Sequence, residues 1–355
     1  MSTPSWPRSL NSRGQDNRTG TAAGLSELSD PSRVRRRPRC LICGSDERES
    51  FCAAVDRVQK RPGETWQILR CRNCGFGWTE PVLGDDELGE YYPAHYLGEI
   101  DRRIEEYLSG SLQRSRSWKG EVEKVQLVER YVSGGRILDV GCGDGKFLWA
   151  LDPERWERFG VERSTETVNL LRQRVSGLRL VAGDIHSGEL LPGAFDALTF
   201  WHVLEHLPDP EAALARAATL LRPGGWVFVS LPCIDSLQAL LFRGYWYGFD
   251  DVPRHLHHFS GRSLTMLLTR TAFTVRRQLM FSRNVNFHAL KHSLLNWCTG
   301  RHKSRAPYYA LKPALFGFQM LEQMTGRSGI RGVVAHKLHR GDAEIAERNR
   351  LQFGN

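Results

Sequence analysis

Short, largely apolar runs recur through the middle of the chain and alternate with mixed polar stretches. Five such runs lie at residues 137–140, 159–161, 178–182, 195–201 and 226–231. Runs that are apolar on both faces are typical of parallel strands that helices cover on either side of a sheet. The pattern therefore predicts an α/β fold with a doubly wound, Rossmann-like sheet.

A glycine-rich turn follows the first run. Gly141, Gly143 and Gly145 alternate with other residues, and an apolar helical pattern begins at Phe147. Such a turn lets a ligand approach the backbone at the carboxyl ends of the strands, because a side chain there would strike the ligand. The spacing is neither the Gly-x-Gly-x-x-Gly of a dinucleotide site nor a P-loop. Asp139, just before the turn, disfavours a phosphate and suits a cationic ligand.

Acidic residues follow the next two runs. Glu162 lies about 20 residues past the first glycine, where a carboxylate can bind ribose hydroxyls, and Asp184 follows Gly183 at the end of the third run. Trp201 and His202 end the fourth run, and a Pro-Gly-Gly turn precedes the fifth. In this order, over about residues 125–285, the motifs resemble those of class I S-adenosylmethionine-dependent methyltransferases.

The resemblance implies a seven-stranded sheet whose last strand, here residues 329–337, is antiparallel. It also implies a cofactor, S-adenosylmethionine, and a set of residues that bind it. These are Asp139 near the methionine amino end, Gly141, Cys142, Gly143 and Gly145 along the methionine and ribose, Glu162 at the ribose hydroxyls, Asp184 at the adenine amino group, Ile185 beside the ring, and Trp201 facing the methyl group. Surface carboxylates are the alternative for Glu162 and Asp184.

Methyl transfer from a sulfonium requires an aligned acceptor, exclusion of water and, for many acceptors, a base. Histidine suits the last role near neutral pH. The candidates are His202, His206, His255, His257 and His258, of which the first three are favoured. His202, Glu205 and His206 also have helical spacing and could share one face as metal ligands. Some related methyltransferases bind a divalent metal with Glu-x-x-Glu-His, but His202 replaces the first Glu. We therefore expect no catalytic divalent metal, and packing of Glu205 and His206 against the next helix is the alternative.

Four cysteines near the start form two Cys-x-x-Cys pairs, each followed by glycine. Cys40, Cys43, Cys71 and Cys74 have the pattern of zinc-ribbon knuckles, with a long interval of 27 residues between the pairs. Four thiolates satisfy tetrahedral zinc and leave no open position, so the predicted Zn²⁺ is structural. Disulfides are the rival, but isolated cysteines elsewhere and the lack of a signal segment favour a reducing, cytoplasmic location.

The domain organisation follows from these motifs and from composition. We predict a disordered basic tail (1–38), a zinc ribbon (39–82), a helical linker and lid (83–131), the cofactor domain (132–284), a helical insertion (285–325), the last strand (326–340) and a C-terminal tail (341–355). The ribbon and the Tyr-Tyr-Pro-x-x-Tyr motif at 91–96 resemble the front end of methyltransferases from bacterial glycan and secondary-metabolite pathways. Those tyrosines could cover the site as a lid or pack between domains.

Composition limits the function classes. The 355 residues are 41% hydrophobic and 25% charged, as in a globular protein, and the formal net charge is +9. No apolar run reaches the roughly 18 residues of a spanning helix. We predict a small-molecule acceptor, either a sugar nucleotide or another glycan or natural-product intermediate, methylated on oxygen or carbon. The basic, aromatic insertion could contact a membrane, although a cap over the site is favoured.

Two other functions remain open at this level. An RNA methyltransferase could grip RNA with the ribbon and the basic tail, although the ribbon lacks a dense basic and aromatic face. A non-catalytic binding module with the same fold is the second alternative, and the intact 141–145 turn argues against it. The sequence predicts no oligomeric state.

Overall fold

The computed structural model describes residues 36–59, 61, 63–91, 96–303 and 305–338. In chain order its strands are β1 (Arg48–Ala54), β2 (Trp66–Cys71), β3 (Gly77–Glu80), β4 (Gly135–Val140), β5 (Trp156–Glu162), β6 (Leu178–Ala182), β7 (Phe195–Trp201), β8 (Leu221–Pro232), β9 (His257–His258), β10 (Phe273–Met280) and β11 (Ile330–Lys337). The C-terminal tail, the basic tail up to residue 35, Tyr92 and His95 lie outside the described residues.

Helices connect most of these strands. They are α1 (Asp85–Gly89), α2 (Tyr96–Leu108), α3 (Arg116–Glu129), α4 (Lys146–Ala150), α5 (Thr165–Arg174), α6 (Pro210–Leu220), α7 (Leu237–Phe242), α8 (Gly261–Arg270), α9 (Arg283–His302), α10 (Ala306–Leu311) and α11 (Leu315–Thr325). Side-chain caps set several starts: Ser164 accepts from Thr167 N before α5, and Asp209 accepts from Ala212 N before α6.

The larger sheet has seven strands in the order β10-β11-β8-β7-β4-β5-β6. The strands from β8 to β6 pair in parallel, and β11 is antiparallel to both β8 and β10. The predicted Rossmann-like fold, with its last strand antiparallel, is confirmed. Because β4 is central, its carboxyl end lies beside those of β5 and β7, where the predicted cofactor residues follow.

The ribbon strands form a second, four-stranded sheet in the order β1-β2-β3-β9. Its last member, β9, comes from the segment after β8, so the smaller sheet contains residues from both parts of the chain. Phe76 and Trp78 of the ribbon belong to the same buried cluster as Leu198 and Phe200 of the large sheet. The long interval between the cysteine pairs is occupied mainly by the β1–β2 hairpin.

The segment after β7 differs from the prediction. Residues 202–207 form a turn, and α6 begins only at Pro210. Pro208 and Pro210 lack the amide hydrogens that a helix through this segment would use. His202, Glu205 and His206 therefore do not share one helix face, and the prediction based on helical spacing was wrong.

Residues 283–325, which we call the cap, contain α9, α10 and α11 and connect β10 to β11. Asn286 of α9 joins the cap to the sheet: Nδ2 donates to Ile330 O at 2.9 Å, and Ile330 N donates to Oδ1 at 2.8 Å. Across the described ranges, no helix combines the length and apolar character needed to span a bilayer.

Candidate cofactor and active site

The glycine turn after β4 is held by backbone contacts to β5. Gly141 N and Cys142 N both donate to Val161 O, at 2.8 and 3.1 Å. Gly141 has φ 66°, and a Cβ there would lie 2.8 Å from the Val203 side chain. Positive φ and this close approach explain why glycine is required at position 141.

Glu162 lies where the sequence predicted it, beside the glycine turn. Its Oε2 accepts from Gly143 N at 3.0 Å, and its Oε1 accepts from Ser164 N at 3.1 Å. Two backbone donors fix the carboxylate at the end of β5 against the turn. The structure thus brings together the first two elements of the predicted cofactor site.

A cavity of about 250 Å³ opens against the turn. Its floor and wall include Asp139, Cys142, Gly143, Phe147 and Trp201. Helices α2 and α3, the roof helices, cover it with Glu99, Ile100, Arg103, Glu121 and Lys124. A larger recess of about 620 Å³ lies at the opposite edge of the sheet, between Gly135, Trp156 and Leu178, away from the turn.

Asp139 is buried at the base of this cavity. Its Oδ1 accepts from Thr199 Oγ1 of β7 at 2.6 Å. Burial raises the pKa of Asp139 to about 7, although the Thr199 hydrogen bond opposes the rise. A carboxyl with this pKa becomes fully charged when a cation approaches, as the ammonium and sulfonium of S-adenosylmethionine would.

Trp201 forms the aromatic wall. Its ring contacts Phe147 and Phe281 with centroids 5.4 and 5.5 Å apart, and Lys124 Nζ lies 5.6 Å from its centroid. Its Nε1 is buried and has no hydrogen-bond partner in the described structure. The electron-rich face of an aromatic ring suits a sulfonium cation. Trp201, Asp139 and the glycine turn therefore have the chemistry that S-adenosylmethionine requires.

Asp184 and Ile185 are less closely involved. Ile185 is buried, but Asp184 is exposed, and its Oδ1 accepts from His186 N at 2.7 Å. Neither residue belongs to the described lining of the 250 Å³ cavity. Their adenine-binding roles stay predictions.

The three candidate histidines surround Glu205. His202 has φ 59° and leaves about a third of its side chain exposed, with Nδ1 3.5 Å from Glu205 Oε1. The rings of His206 and His255 are 4.6 Å apart. Their Nδ1 atoms contact Arg254 O at 3.0 Å and Gly248 O at 2.8 Å respectively. A left-handed backbone at a non-glycine residue is strained and is typical of functional sites.

Burial and neighbouring charges shift the pKa values of His206 and Glu205. Burial, reinforced by His255, lowers the pKa of His206 to about 4. Burial opposes ionisation of Glu205, yet the contact with His202 and the nearby histidine charges hold its pKa below the usual value. Neither Glu205 oxygen has a hydrogen-bond partner within the described residues. Glu205, His206 and His255 each place one donor atom within 4.8 Å of the others, a spacing that one cation could bridge.

The four ribbon cysteines converge, as the spacing predicted. Cys40 Sγ is 3.5 Å from Cys74 Sγ, and Cys43 Sγ is 3.5 Å from Cys71 Sγ, with all four within 4.8 Å of one another. Bonds of 2.3 Å to tetrahedral zinc place sulfurs about 3.8 Å apart. Gly44 and Gly75 have φ 72° and 76°, as the knuckle turns require. This donor set fits Zn²⁺.

The ribbon also holds the histidine segment. Thr79 N of β3 donates to Leu256 O at 3.1 Å. Its Oγ1 donates to His255 O at 2.7 Å and lies 3.0 Å from His258 Nε2. A distortion of the ribbon would therefore reach His255 directly.

Sequence reasoning missed several of these contributors. Thr199, which contacts Asp139, lies within an apolar run, and nothing in the sequence distinguishes it there. Thr79 is separated from His255 by 176 residues, so the sequence does not indicate their contact. Glu121 and Lys124 offered a weak signal, because their spacing of three puts them on one helix face, and they form a 2.8 Å ion pair. Nothing in the sequence indicated that this face covers the cavity.

The sheet order, the glycine turn and the acid at the end of β5 define a Rossmann-like domain of the class that binds nucleoside cofactors. The chain matches the methyltransferase domain family over residues 111–278. It is 33% identical over 146 residues to a ubiquinone biosynthesis O-methyltransferase of Chromobacterium violaceum, covering 39% of this chain and 62% of that protein. A Burkholderia thailandensis protein of the same name is 34% identical over 167 residues, or 45% of this chain and 72% of the relative.

Solved structures show similar proteins at lower identity. An S-adenosylmethionine-dependent methyltransferase of Thermotoga maritima is 18% identical, with a TM-score of 0.41, over 69% of this chain and 100% of that one. A geranyl diphosphate methyltransferase is 14% identical, with a TM-score of 0.42, over 64% and 80%. On its sequence relatives and family match, the chain belongs to the class I S-adenosylmethionine-dependent methyltransferases.

Proposed function

We propose that the protein transfers a methyl group from S-adenosylmethionine to a hydroxyl oxygen of a small-molecule acceptor. The observation that carries the proposal is that the glycine turn and buried Asp139 line one cavity at the carboxyl edge of the sheet, while Glu162 is hydrogen-bonded to the turn at Gly143 N. The cavity offers carboxylates and an aromatic wall to a cationic nucleoside. Relatives named as O-methyltransferases support oxygen over carbon as the acceptor atom.

Specific residues would hold the cofactor. Gly141 to Gly145 and Glu162 would bind the methionine and ribose, Asp139 the ammonium end, and Asp184 with Ile185 the adenine. When bound, the cofactor supplies an electrophilic methyl group whose bond to sulfur breaks as the bond to the acceptor forms. Trp201 would line the methyl side and exclude water.

His202 is the residue that we assign as general base. It follows Trp201 directly, it is partly exposed, and Glu205 lies where it can orient the ring through Nδ1. His202 would remove the proton of the acceptor hydroxyl, and Glu205 would stabilise the imidazolium that forms. The pKa of His206, about 4, makes that residue a poor base near neutral pH.

The group of Glu205, His206 and His255 supports a second role, because its donor atoms could bind a divalent cation that lowers the pKa of the acceptor hydroxyl. Dialysis against a chelator at a concentration that spares the cysteine site distinguishes the roles. Activity that survives supports the base. Activity that is lost and returns with Mg²⁺ or Mn²⁺ supports the cation.

For the acceptor we propose a sugar nucleotide or another glycan or natural-product intermediate. A panel of nucleotide sugars and polyhydroxylated aromatic compounds, assayed by release of S-adenosylhomocysteine, tests this class. A short structured RNA serves as the competing substrate. Methylation of RNA alone would replace the small-molecule assignment.

The cofactor proposal is tested by calorimetry with S-adenosylmethionine. Gly143→Asp places a carboxylate against Glu162 in a residue with φ 53°, so we expect binding to be abolished. Gly188→Asp is the matched control, since a side chain at Gly188 meets nothing within 4 Å. Both variants should retain the circular dichroism of the wild type. Normal cofactor binding by Gly143→Asp would contradict the placement.

A further inference from the structure

The cap exposes an unusual share of the apolar surface. Twelve large hydrophobic side chains are exposed within the described residues, and half of them lie between positions 309 and 324. This group, which we call the cap face, comprises Tyr309, Leu311, Phe316, Met320, Leu321 and Met324. Phe316 is 68% exposed and Met324 81%. Concentrated exposed apolar surface marks an interaction site more often than scattered residues do.

The orientation of α11 makes the exposure more informative. This helix buries Leu315, Gln319 and Glu322 and turns Phe316, Met320 and Met324, at spacings of four, outward. Gln319 Nε2 donates to Arg283 O at 2.6 Å, and Gln238 Nε2 donates to Glu322 Oε2 at 2.9 Å. The polar side is thus fixed inward by hydrogen bonds. A helix in contact with water alone would have the reverse polarity.

Charge indicates what covers this face. The cap, residues 283–325, contains six Lys and Arg and one acid, Glu322, which is buried. The difference, six minus one, is +5, against +9 for the whole chain. Arg301, Lys303, Arg305 and Lys312 are exposed beside the cap face. Apolar side chains flanked by cations suit an interface that is apolar inside and anionic at its edge.

We propose that the cap face docks on the surface of an anionic phospholipid bilayer. Phe316, Met320 and Met324 enter the boundary between headgroups and acyl chains, and the flanking cations contact lipid phosphates. A second copy of this chain would bring the same positive charges to the contact, so charge opposes self-association. The cap begins beside the active site, since Phe281 packs on Trp201 and Asn284 Nδ2 donates to Glu123 of α3.

Vesicle co-sedimentation tests the proposal on the full chain. Vesicles of phosphatidylcholine alone are compared with vesicles that also contain phosphatidylglycerol. The wild type should bind the anionic vesicles about tenfold or more tightly, and high salt should weaken binding. The triple variant F316S/M320S/M324S should lose about tenfold or more. The double variant L108S/L191S, which removes two equally exposed side chains elsewhere, should bind as the wild type does.

Three outcomes would overturn the proposal. The wild type could fail to bind anionic vesicles more tightly than neutral ones. The triple variant could bind them normally, which would place the contact in another basic segment. Sedimentation could show a dimer that the triple variant abolishes, which would assign the face to self-association. Because cofactor calorimetry is measured separately on the same variants, failure here is distinguishable from failure of the proposed activity.

Discussion

Single residues decide what the cavity can bind. Asp139 lies between Thr199 and the glycine turn, and its buried carboxyl is half-protonated near pH 7. Charging it in the free protein is unfavourable because desolvation outweighs the Thr199 hydrogen bond and the positive charge of Lys124. A cationic ligand removes that penalty, so cofactor binding and proton release from Asp139 are linked.

This linkage predicts a pH-dependent affinity for S-adenosylmethionine. With a pKa of about 7, the carboxyl of Asp139 is mostly protonated at pH 6 and mostly ionised at pH 8. We expect the affinity of the wild type, divided by that of Asp139→Asn, to rise about tenfold between these values. The division cancels titration of the ligand itself. Calorimetry at both pH values measures the ratio, and Asp101→Asn is the control, because Asp101 pairs with Arg174 at 2.7 Å and is not part of the described cavity lining. An unchanged ratio would separate Asp139 from the cofactor.

His202 leads to a kinetic prediction. Removal of a general base costs about a hundredfold or more in turnover, so His202→Gln should lower kcat by that amount and leave cofactor affinity unchanged. Glu205→Gln should lower kcat less and shift its pH profile, since it acts through His202. His288→Gln, on the exposed cap residue His288, is the matched control. Full activity in His202→Gln would exclude the residue as the base.

At the scale of strands and helices, some features are determined by local sequence and others by contacts between residues distant in sequence. The apolar runs were predictable from periodicity, because it is a local property, whereas the antiparallel last strand was implied by the family resemblance. The turn at 202–207 and the recruitment of β9 into the ribbon sheet depend on contacts distant in sequence, such as Thr79 with His255. Glu162 was predictable because its strand position alone places it, whereas the roof of the cavity depends on how α2 and α3 dock.

Ionisation of buried Glu322, on the cap helix α11, should lower the stability of the folded protein. Burial raises the pKa of Glu322 to about 7, against 4.5 for an ordinary glutamate, despite the hydrogen bond from Gln238. The folded state therefore holds its proton between these values while the unfolded state releases it. Stability from this group is complete below about pH 4.5 and is lost as the pH rises through 7. Full ionisation costs about 3 kcal/mol.

Glu322→Gln should consequently have little effect on unfolding free energy at pH 4.5 and increase it by up to about 3 kcal/mol at pH 8. Urea denaturation at the two pH values measures both numbers. Glu189→Gln, at an exposed loop position, should change neither. Equal effects of Glu322→Gln at both pH values would mean that the carboxyl does not titrate as its burial indicates.

At the scale of the whole molecule, the ribbon and the large sheet share one core. Cys40, Cys71 and Cys74 belong to the same buried cluster as β7 and α8 side chains, and Ser260 Oγ donates to Cys74 O at 2.8 Å. Arg270 of α8 donates to Ile42 O at 2.7 Å. Contacts of this kind couple the two parts energetically, so the zinc site should stabilise the whole described structure and not the ribbon alone.

Zinc removal should therefore lower the midpoint temperature of one cooperative unfolding transition. We expect one Zn²⁺ per chain by atomic absorption, and a Cys43→Ser variant should lose it. Its calorimetric transition should stay single and fall by about 5–10 °C, because losing a structural metal removes several kcal/mol. Cys52→Ser is a close control, since Cys52 lies on β1 outside the cluster. Two separate transitions, with the larger one unmoved, would show that the ribbon folds independently.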